Sequence, residues 1–321
     1  MPLPSVKRLL PVLGGISLLP FLVPLARPSR LPEDSPFPES RYLTYEGITL
    51  HYRDFEARGE VFRGRMLLVH GVGGSTDSFR FNFEALSRAG YRVVAVDFPG
   101  FGYSERSEAF DHRQTSRARL LWEVADALSG KEASWHLLGH SMGGGVVTAM
   151  AAMAPQRTRR VILVGGSLEG SGRLPDWLLE IPPLNRTVRI LLERFLIKEK
   201  PVKAFLTSVY GRPPTETEVL GFFKPLRIAG TSYGVVSVLR TRGNLPLEAY
   251  EGLGIFVTGI WGERDSWVRP SEGAAYGRLF ENYDFHVIPG AAHSPMETHP
   301  EDFNDLLLKK LQGGVTFDSN Q

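Results

Sequence analysis

The 321-residue chain contains no cysteine, which removes disulfides, thiolate metal sites and a cysteine nucleophile from consideration. It also lacks a dominant sign of charge. Lys and Arg total 37 against 35 Asp and Glu, so no nucleic-acid-binding surface is indicated. The asymmetry that does exist lies at the start, where Lys7, Arg8, Arg27 and Arg30 meet no acid in the first thirty residues. Long uncharged runs are scarce as well. The notable one, "LLPVLGGISLLPFLVPLA" (residues 9–26), is eighteen residues long and leads into the Pro-rich "RPSRLPEDSPFPES". A basic flank, an apolar run and a polar spacer read as a membrane anchor or an export signal. Pro11, Pro20 and Pro24, and a length at the lower edge for spanning, leave open a helix packed on its own protein. Residues 1–40 are therefore expected to form an anchor or signal plus linker, and the protein to be membrane-anchored or exported rather than cytoplasmic.

From residue 41 onward β-rich runs alternate with helical patterns. "RYLTY" and "ITLHYRDF" form an expected antiparallel pair turning at Glu46 and Gly47. Six nearly continuous apolar runs follow at 65–70, 91–98, 134–140, 160–166, 254–262 and 284–290, the mark of strands covered on both faces. Helical patterns fall at 76–89, 113–130, 142–154, 271–281 and 299–312. This order predicts an α/β fold: a mostly parallel eight-stranded sheet with helices on both faces. The alternation breaks between the fourth and fifth of those apolar runs. Residues 41–170 and 251–321 are thus read as the core, and 171–250 as a helical lid inserted after strand 6.

Gly139-His140-Ser141-Met142-Gly143 matches the G-x-S-x-G turn, in which a strained serine is lifted above a sheet between a strand and a helix. A second match, Gly230-Thr231-Ser232-Tyr233-Gly234, follows a poor strand and is read as a turn. A serine hydroxyl needs a base to take its proton. His293, in the loop "PGAAHSPMETHP", is placed for that, whereas His286 falls inside a strand and His299 at a helix start. Asp265 in "WGERDSWV" is the expected acid behind His293; Glu263 is read as solvent-facing, and Glu169 after the 160–166 strand is the rival. Two N–H groups must face the developing oxyanion, and Met142 and Val72 of "HGVGGS" are the expected donors. Gly71, Gly73 and Trp267 are the expected substrate contacts. No cofactor is expected: Gly71-Val72-Gly73 has Thr76 where a dinucleotide fingerprint needs its last glycine, and no P-loop is present. No metal is expected either, since His293, Glu297 and His299 lack a ligand spacing and a fourth partner.

Four separated motifs agree: "HGVGGS", "DFPGFGYSER" (97–106), "GHSMGG", and "WGERD" with "AAHSP". Together they resemble the α/β-hydrolase superfamily over roughly 41–170 and 250–312. With the lid and N-terminal segment, the chain is similar to capped carboxylesterases and monoacylglycerol-lipase-like enzymes. The resemblance implies Ser141 as nucleophile, His293 as base, Asp265 as acid, and Val72 and Met142 as oxyanion donors. Epoxide hydrolases and haloalkane dehalogenases of this fold attack with a carboxylate, and Ser141 departs from that. C–C bond hydrolases typically carry a proline in the glycine loop, where this chain has "GVGGS".

The resulting expectation is a serine hydrolase of carboxylic esters working through an acyl-enzyme, with activity rising with pH as the base loses its proton. The apolar residues Trp177, Leu178, Leu179, Leu191, Leu192, Phe195, Leu196, Phe222 and Phe223 of the insertion suggest an apolar acyl chain or a monoacylglycerol. They equally allow simple packing or contact with a membrane beside residues 9–26. A C–C bond hydrolase, an acyltransferase and a non-turnover ligand receptor are the alternatives on the same scaffold.

Overall fold

The computed structural model describes residues 19–25, 36–168, 176–240 and 245–312. Its centre is an eight-stranded sheet in the order β1-β2-β4-β3-β5-β6-β7-β8. The strands are β1 Ser40–Tyr45, β2 Ile48–Phe55, β3 Gly64–Val69, β4 Tyr91–Val96, β5 Trp135–His140, β6 Thr158–Val164, β7 Phe256–Gly262 and β8 Asn282–Ile288. The β1–β2 hairpin turns at Glu46 and Gly47, both with positive φ (48° and 78°), as the tight turn between right-twisted strands requires. β2 also lies antiparallel to β4, and every later pairing is parallel.

Successive residues of a strand face opposite sides of a sheet, and both sides here are dry. Leu67, Val69, Leu137, Val161 and Leu163 point into one core, built with α2 (Gln114–Ser129) and α3 (Met142–Met153). Their neighbours Met66, Leu68, Leu138, Ile162 and Val164 point into the other, built with α1 (Phe83–Arg88) and a C-terminal helix over Pro300–Gln312. This two-sided burial is why the strand sequences are continuously apolar rather than alternating.

Two expected helices are broken. The 76–89 pattern becomes a 3-10 turn, Thr76–Phe79, then α1, because the Thr76 N–H is held at 2.6 Å by the Asp97 carboxylate on β4's following loop. The 271–281 pattern splits into Pro270–Ala275 and a 3-10 turn Tyr276–Arg278. Among the described residues, five α-helices lie between β6 and β7: α4 Asp176–Glu180, α5 Pro182–Leu191, α6 Glu199–Tyr210, α7 Glu216–Leu226 and α8 Thr231–Arg240. Val202, Leu206, Val209, Tyr210 and Val219 give this region a small core of its own. Ser232 is corrected from turn to helix: it sits in the first turn of α8, its hydroxyl donating to Glu193 at 2.6 Å. Pro225 closes α7 just before it, which made the segment read as a turn. Because β3 and β5–β8 run parallel, the loops after them meet at one edge of the sheet.

Candidate active site

Ser141 stands between β5 and α3 with φ 53° and ψ −120°. Among the described residues only Glu46 shares positive φ with it outside glycine. The conformation is over-determined by its surroundings. Ser141 N–H donates to Val164 O at 3.0 Å, and Ser141 O accepts from Ser167 N–H at 3.0 Å and Gly144 N–H at 2.9 Å. A Cβ at Gly139 would collide with the Gly143 carbonyl, and one at Gly143 with the Val69 carbonyl. The glycines of the motif are therefore a steric requirement of the turn.

His293 lies beside this turn. Its carbonyl oxygen accepts from His140 Nε2 at 3.0 Å, and the two rings are 4.9 Å apart. Burial, with His293 alongside, pushes His140 well below the ordinary histidine range, so it stays neutral with its single proton on Nε2. The His293 Nδ1 faces Asp265 Oδ2 at 2.8 Å, both side chains almost wholly buried. Asp265 is fixed in turn: Oδ1 accepts the N–H groups of Trp267 at 2.9 Å and Val268 at 3.0 Å, leaving Oδ2 for the imidazole. Among the described residues the Ser141 hydroxyl makes no hydrogen bond to His293 in this conformation. Such contacts are commonly long before substrate binds, and one rotation about the Ser141 Cα–Cβ bond re-aims the hydroxyl.

Loop 70–75 closes the other side. A Cβ on Gly71 would lie 3.0 Å from Ser141 Cβ, tighter than side chains ordinarily pack, so the glycine eases this close approach. The Gly71 carbonyl is gripped by His70 Nδ1–H at 2.7 Å and Gly74 N–H at 3.2 Å, while His70 Nε2 accepts from Phe98 N–H at 3.2 Å. Burial holds His70 below its ordinary value and hence neutral. Fixing that carbonyl fixes the peptide plane, so the Val72 N–H on its far side is aimed before any ligand arrives. Neither the Val72 nor the Met142 N–H has an acceptor among the described residues. The second motif, "DFPGFGYSER", has a supporting part. Asp97 accepts from Thr76 N–H (2.6 Å), Tyr103 N–H (2.8 Å) and His51 Nδ1 (2.7 Å), tying the end of the loop to the sheet.

The remaining expected residues divide. Trp267 is half-exposed and stacks 6.2 Å from the His293 ring, its indole N–H donating to Ser208 Oγ of α6 at 3.2 Å. Gly73 faces Phe222 of α7. Glu263 is exposed and accepts from Gly290 N–H at 2.9 Å. His286 lies in β8 beside Asp284, and His299 between α10 (Pro295–Thr298) and α11 (Pro300–Gln312), α9 being Pro270–Ala275. Glu169, the rival acid, lies outside the described residues. Glu297 is taken by Arg80 at 2.6 Å and Tyr210 at 2.7 Å. Sequence reasoning missed His70 and Arg117. Arg117 is buried on α2 with Nη1 3.1 Å from the Met142 sulfur, and burial pushes it down to about 9. Its position, three and four residues before Leu120 and Leu121, was the available signal for an inward face.

Known proteins are similar to this chain in sequence and fold. Residues 64–300 match the family model described as alpha/beta hydrolase fold. A 2-hydroxy-6-oxononadienedioate/2-hydroxy-6-oxononatrienedioate hydrolase of Escherichia coli (strain K12) is 38% identical over 305 residues, covering 85% of this chain and 95% of the relative. Two solved structures share the fold. A membrane phospholipase A, described as a bacterial virulence factor, superposes with TM-score 0.69 at 21% identity over 96% of both chains. A thermophilic esterase from Thermogutta terrifontis gives 0.68 at 20% identity over 90% of this chain and 99% of the esterase.

Proposed function

The chain belongs to the α/β-hydrolase fold family and is a hydrolase of that type, and from that premise we propose that it cleaves carboxylic esters through Ser141, His293 and Asp265. The observation that carries this is the 2.8 Å contact between buried Asp265 and His293, with His293's own carbonyl bonded to the residue before Ser141. His293 takes the hydroxyl proton as Ser141 Oγ attacks the ester carbonyl, and the Val72 and Met142 N–H groups receive the oxyanion. The tetrahedral adduct collapses, the C–O bond to the alcohol breaks, and His293 passes its proton to the departing alkoxide. A water, deprotonated by His293, then releases the carboxylic acid and restores Ser141. Asp265 holds the Nδ1 proton throughout and balances the imidazolium charge.

Helices α4–α8 act as a lid in this reading, and Phe205, Phe222 and Trp267 favour an apolar acyl chain. Phe205 lies 5.6 Å from Phe222 and 5.3 Å from Trp267, and those two rings adjoin Gly73 and His293. A p-nitrophenyl ester series of increasing acyl length, extended to monoacylglycerols, tests it. Turnover rising with chain length and absent in Ser141→Ala is expected. Turnover that survives Ser141→Ala would overturn the mechanism.

A second reading, C–C bond hydrolysis, is favoured by the 38% identity to the Escherichia coli relative. The glycine loop, Val72-Gly73-Gly74 without a proline, speaks against it. Turnover of a 2-hydroxy-6-oxo-dienedioate in preference to every ester would establish it instead.

A further inference from the structure

Helix α5 and the π-helical turn after it, Leu192–Leu196, are the anomaly of the molecule. Leu184, Val188, Leu191 and Phe195 recur at helical spacing; Leu184 and Val188 are half-buried, whereas Leu191 and Phe195 at the C-terminal end are exposed. Phe195 is 64% exposed, Leu196 54%, and Trp177 on α4 61%. The end of the face at Leu191, Phe195 and Leu196 is open, and open apolar faces mark interaction surfaces.

The same helix holds the N-terminal apolar run. Arg186 Nε donates to Pro20 O at 2.7 Å and its Nη2 to Val23 O at 2.8 Å, with the guanidinium 5.2 Å from the Phe21 ring. Leu22, beside this clamp, is 77% exposed. Eighteen residues precede Leu19, and those from 9 onward carry no charge. Residues 19–25 and the open end of α5 thus belong to one end of the molecule. That end is also basic: residues 181–203 hold six Lys and Arg against two Glu, and Arg194, Lys198, Lys200 and Lys203 are exposed.

Exposed apolar and exposed basic side chains on one segment, next to the uncharged residues 19–25, fit the interface of an anionic phospholipid bilayer. We propose that the α5–Leu196 face and the Arg186-clamped N-terminal segment form one lipid-docking surface. It sets helix α6, which follows directly and carries Phe205 and Ser208 to Trp267, against the membrane. The substrates drawn to the site are then acyl esters resident in that membrane, and this clause alone rests on the esterase reading. Among the described residues no helix is long and apolar enough to cross a bilayer.

The test uses the full chain carrying Ser141→Ala, so that binding is read whether or not the protein hydrolyses esters. Flotation is measured with vesicles of equimolar phosphatidylglycerol and phosphatidylcholine, and with phosphatidylcholine alone. Binding to the anionic vesicles is expected to fall at least about fivefold in Leu191→Ser/Phe195→Ser, and in Arg194→Glu/Lys200→Glu to weaken at low salt and lose much of its salt dependence. The second pair leaves the apolar packing intact and guards against a folding defect. With Ser141 restored, both variants are expected to hydrolyse a soluble short ester within about twofold of wild type while losing a vesicle-borne ester. Unchanged vesicle binding in both variants overturns the proposal, whether a second copy or the chain's own N-terminus covers the face. Retained binding with no hydrolysis of any ester leaves the surface standing and sinks the esterase reading.

Discussion

The backbone N–H of His293 donates to the carbonyl of Val209, 3.0 Å away, in the last turn of α6. The residue read as the base therefore hangs partly on the inserted helices and not on the sheet alone. Two further contacts from the same turn point the same way. Ser208 Oγ receives the indole of Trp267, which stacks on His293, and the Tyr210 hydroxyl donates to Glu297, four residues beyond His293 in α10.

Breaking that attachment has an expected cost. Glu297 is 7% exposed and shares one oxygen between Tyr210 and Arg80. Tyr210→Phe removes a hydrogen bond to a charged group, on the order of 1.5–3 kcal/mol. Arg80→Met leaves the buried carboxylate without its cation, about 3–5 kcal/mol. Urea unfolding measures both. If α6 positions the base, Tyr210→Phe also slows fluorophosphonate labelling of Ser141, with KM for a small soluble ester unchanged. Labelling at the wild-type rate in a destabilised Tyr210→Phe protein would reduce the contact to packing.

Asp265→Asn is the sharper test of the triad. Oδ1 is engaged by two backbone N–H groups, so the asparagine carbonyl keeps that place and its NH2 turns toward His293 Nδ1. The ring is then forced into the tautomer with its proton on Nε2, where it cannot accept from Ser141. A loss of kcat of about 10⁴-fold is expected, with little change in thermal midpoint. A loss below tenfold would hand the acid's part to another carboxylate, Glu169 being the one foreseen.

The sheet was legible because burial on both faces makes each parallel strand a continuous apolar run, and the parallel order followed from the alternation with helices. The serine turn was legible because Gly139 and Gly143 sit where any Cβ meets backbone. What escaped the sequence are contacts between distant loops. Nothing in "RFNFE" or "PMETHP" announces that Arg80 and Glu297 meet, nor that Tyr210 joins them. Ser232 was misread because Pro225 and the β-branched residues after it argue locally against a helix, whereas α8 forms by packing against α4 and α5. His70 hid inside a recognised motif: its glycines explained the loop, and the imidazole that locks the Gly71 carbonyl needed coordinates.

Gly143→Ala should separate steric need from chain flexibility. The added methyl meets the Val69 carbonyl, and β3 has little room to retreat because it is hydrogen-bonded to β4 on one side and β5 on the other. Gly47→Ala has open space around the new carbon and only its positive φ to resist it, roughly 1 kcal/mol. Urea midpoints of the two variants are expected to differ severalfold in their shift from wild type, Gly143→Ala being the larger. Equal shifts would mean that the turn relaxes and that the glycine is not a steric requirement.

Acid stability should report Asp97. Burial raises its carboxyl, but the His51 imidazole, His70 and the Tyr103 N–H outweigh that and hold it below the ordinary aspartate value. In the unfolded chain the group returns to about 3.9. The unfolded state therefore binds more protons between the two values, and stability rises with pH there. The contribution is fully present above the unfolded value and disappears as pH falls through the folded one. Asp97→Asn cannot lose what it does not have, so it should be less stable than wild type at neutral pH. The gap between their urea midpoints should close in acid, starting near pH 4. Because Asp97 also holds the Thr76 N–H at the end of the glycine loop, ester turnover at neutral pH should fall with it. A gap that stays constant as the pH is lowered through that range would show that the carboxylate's charge is not what ties the loop to the sheet.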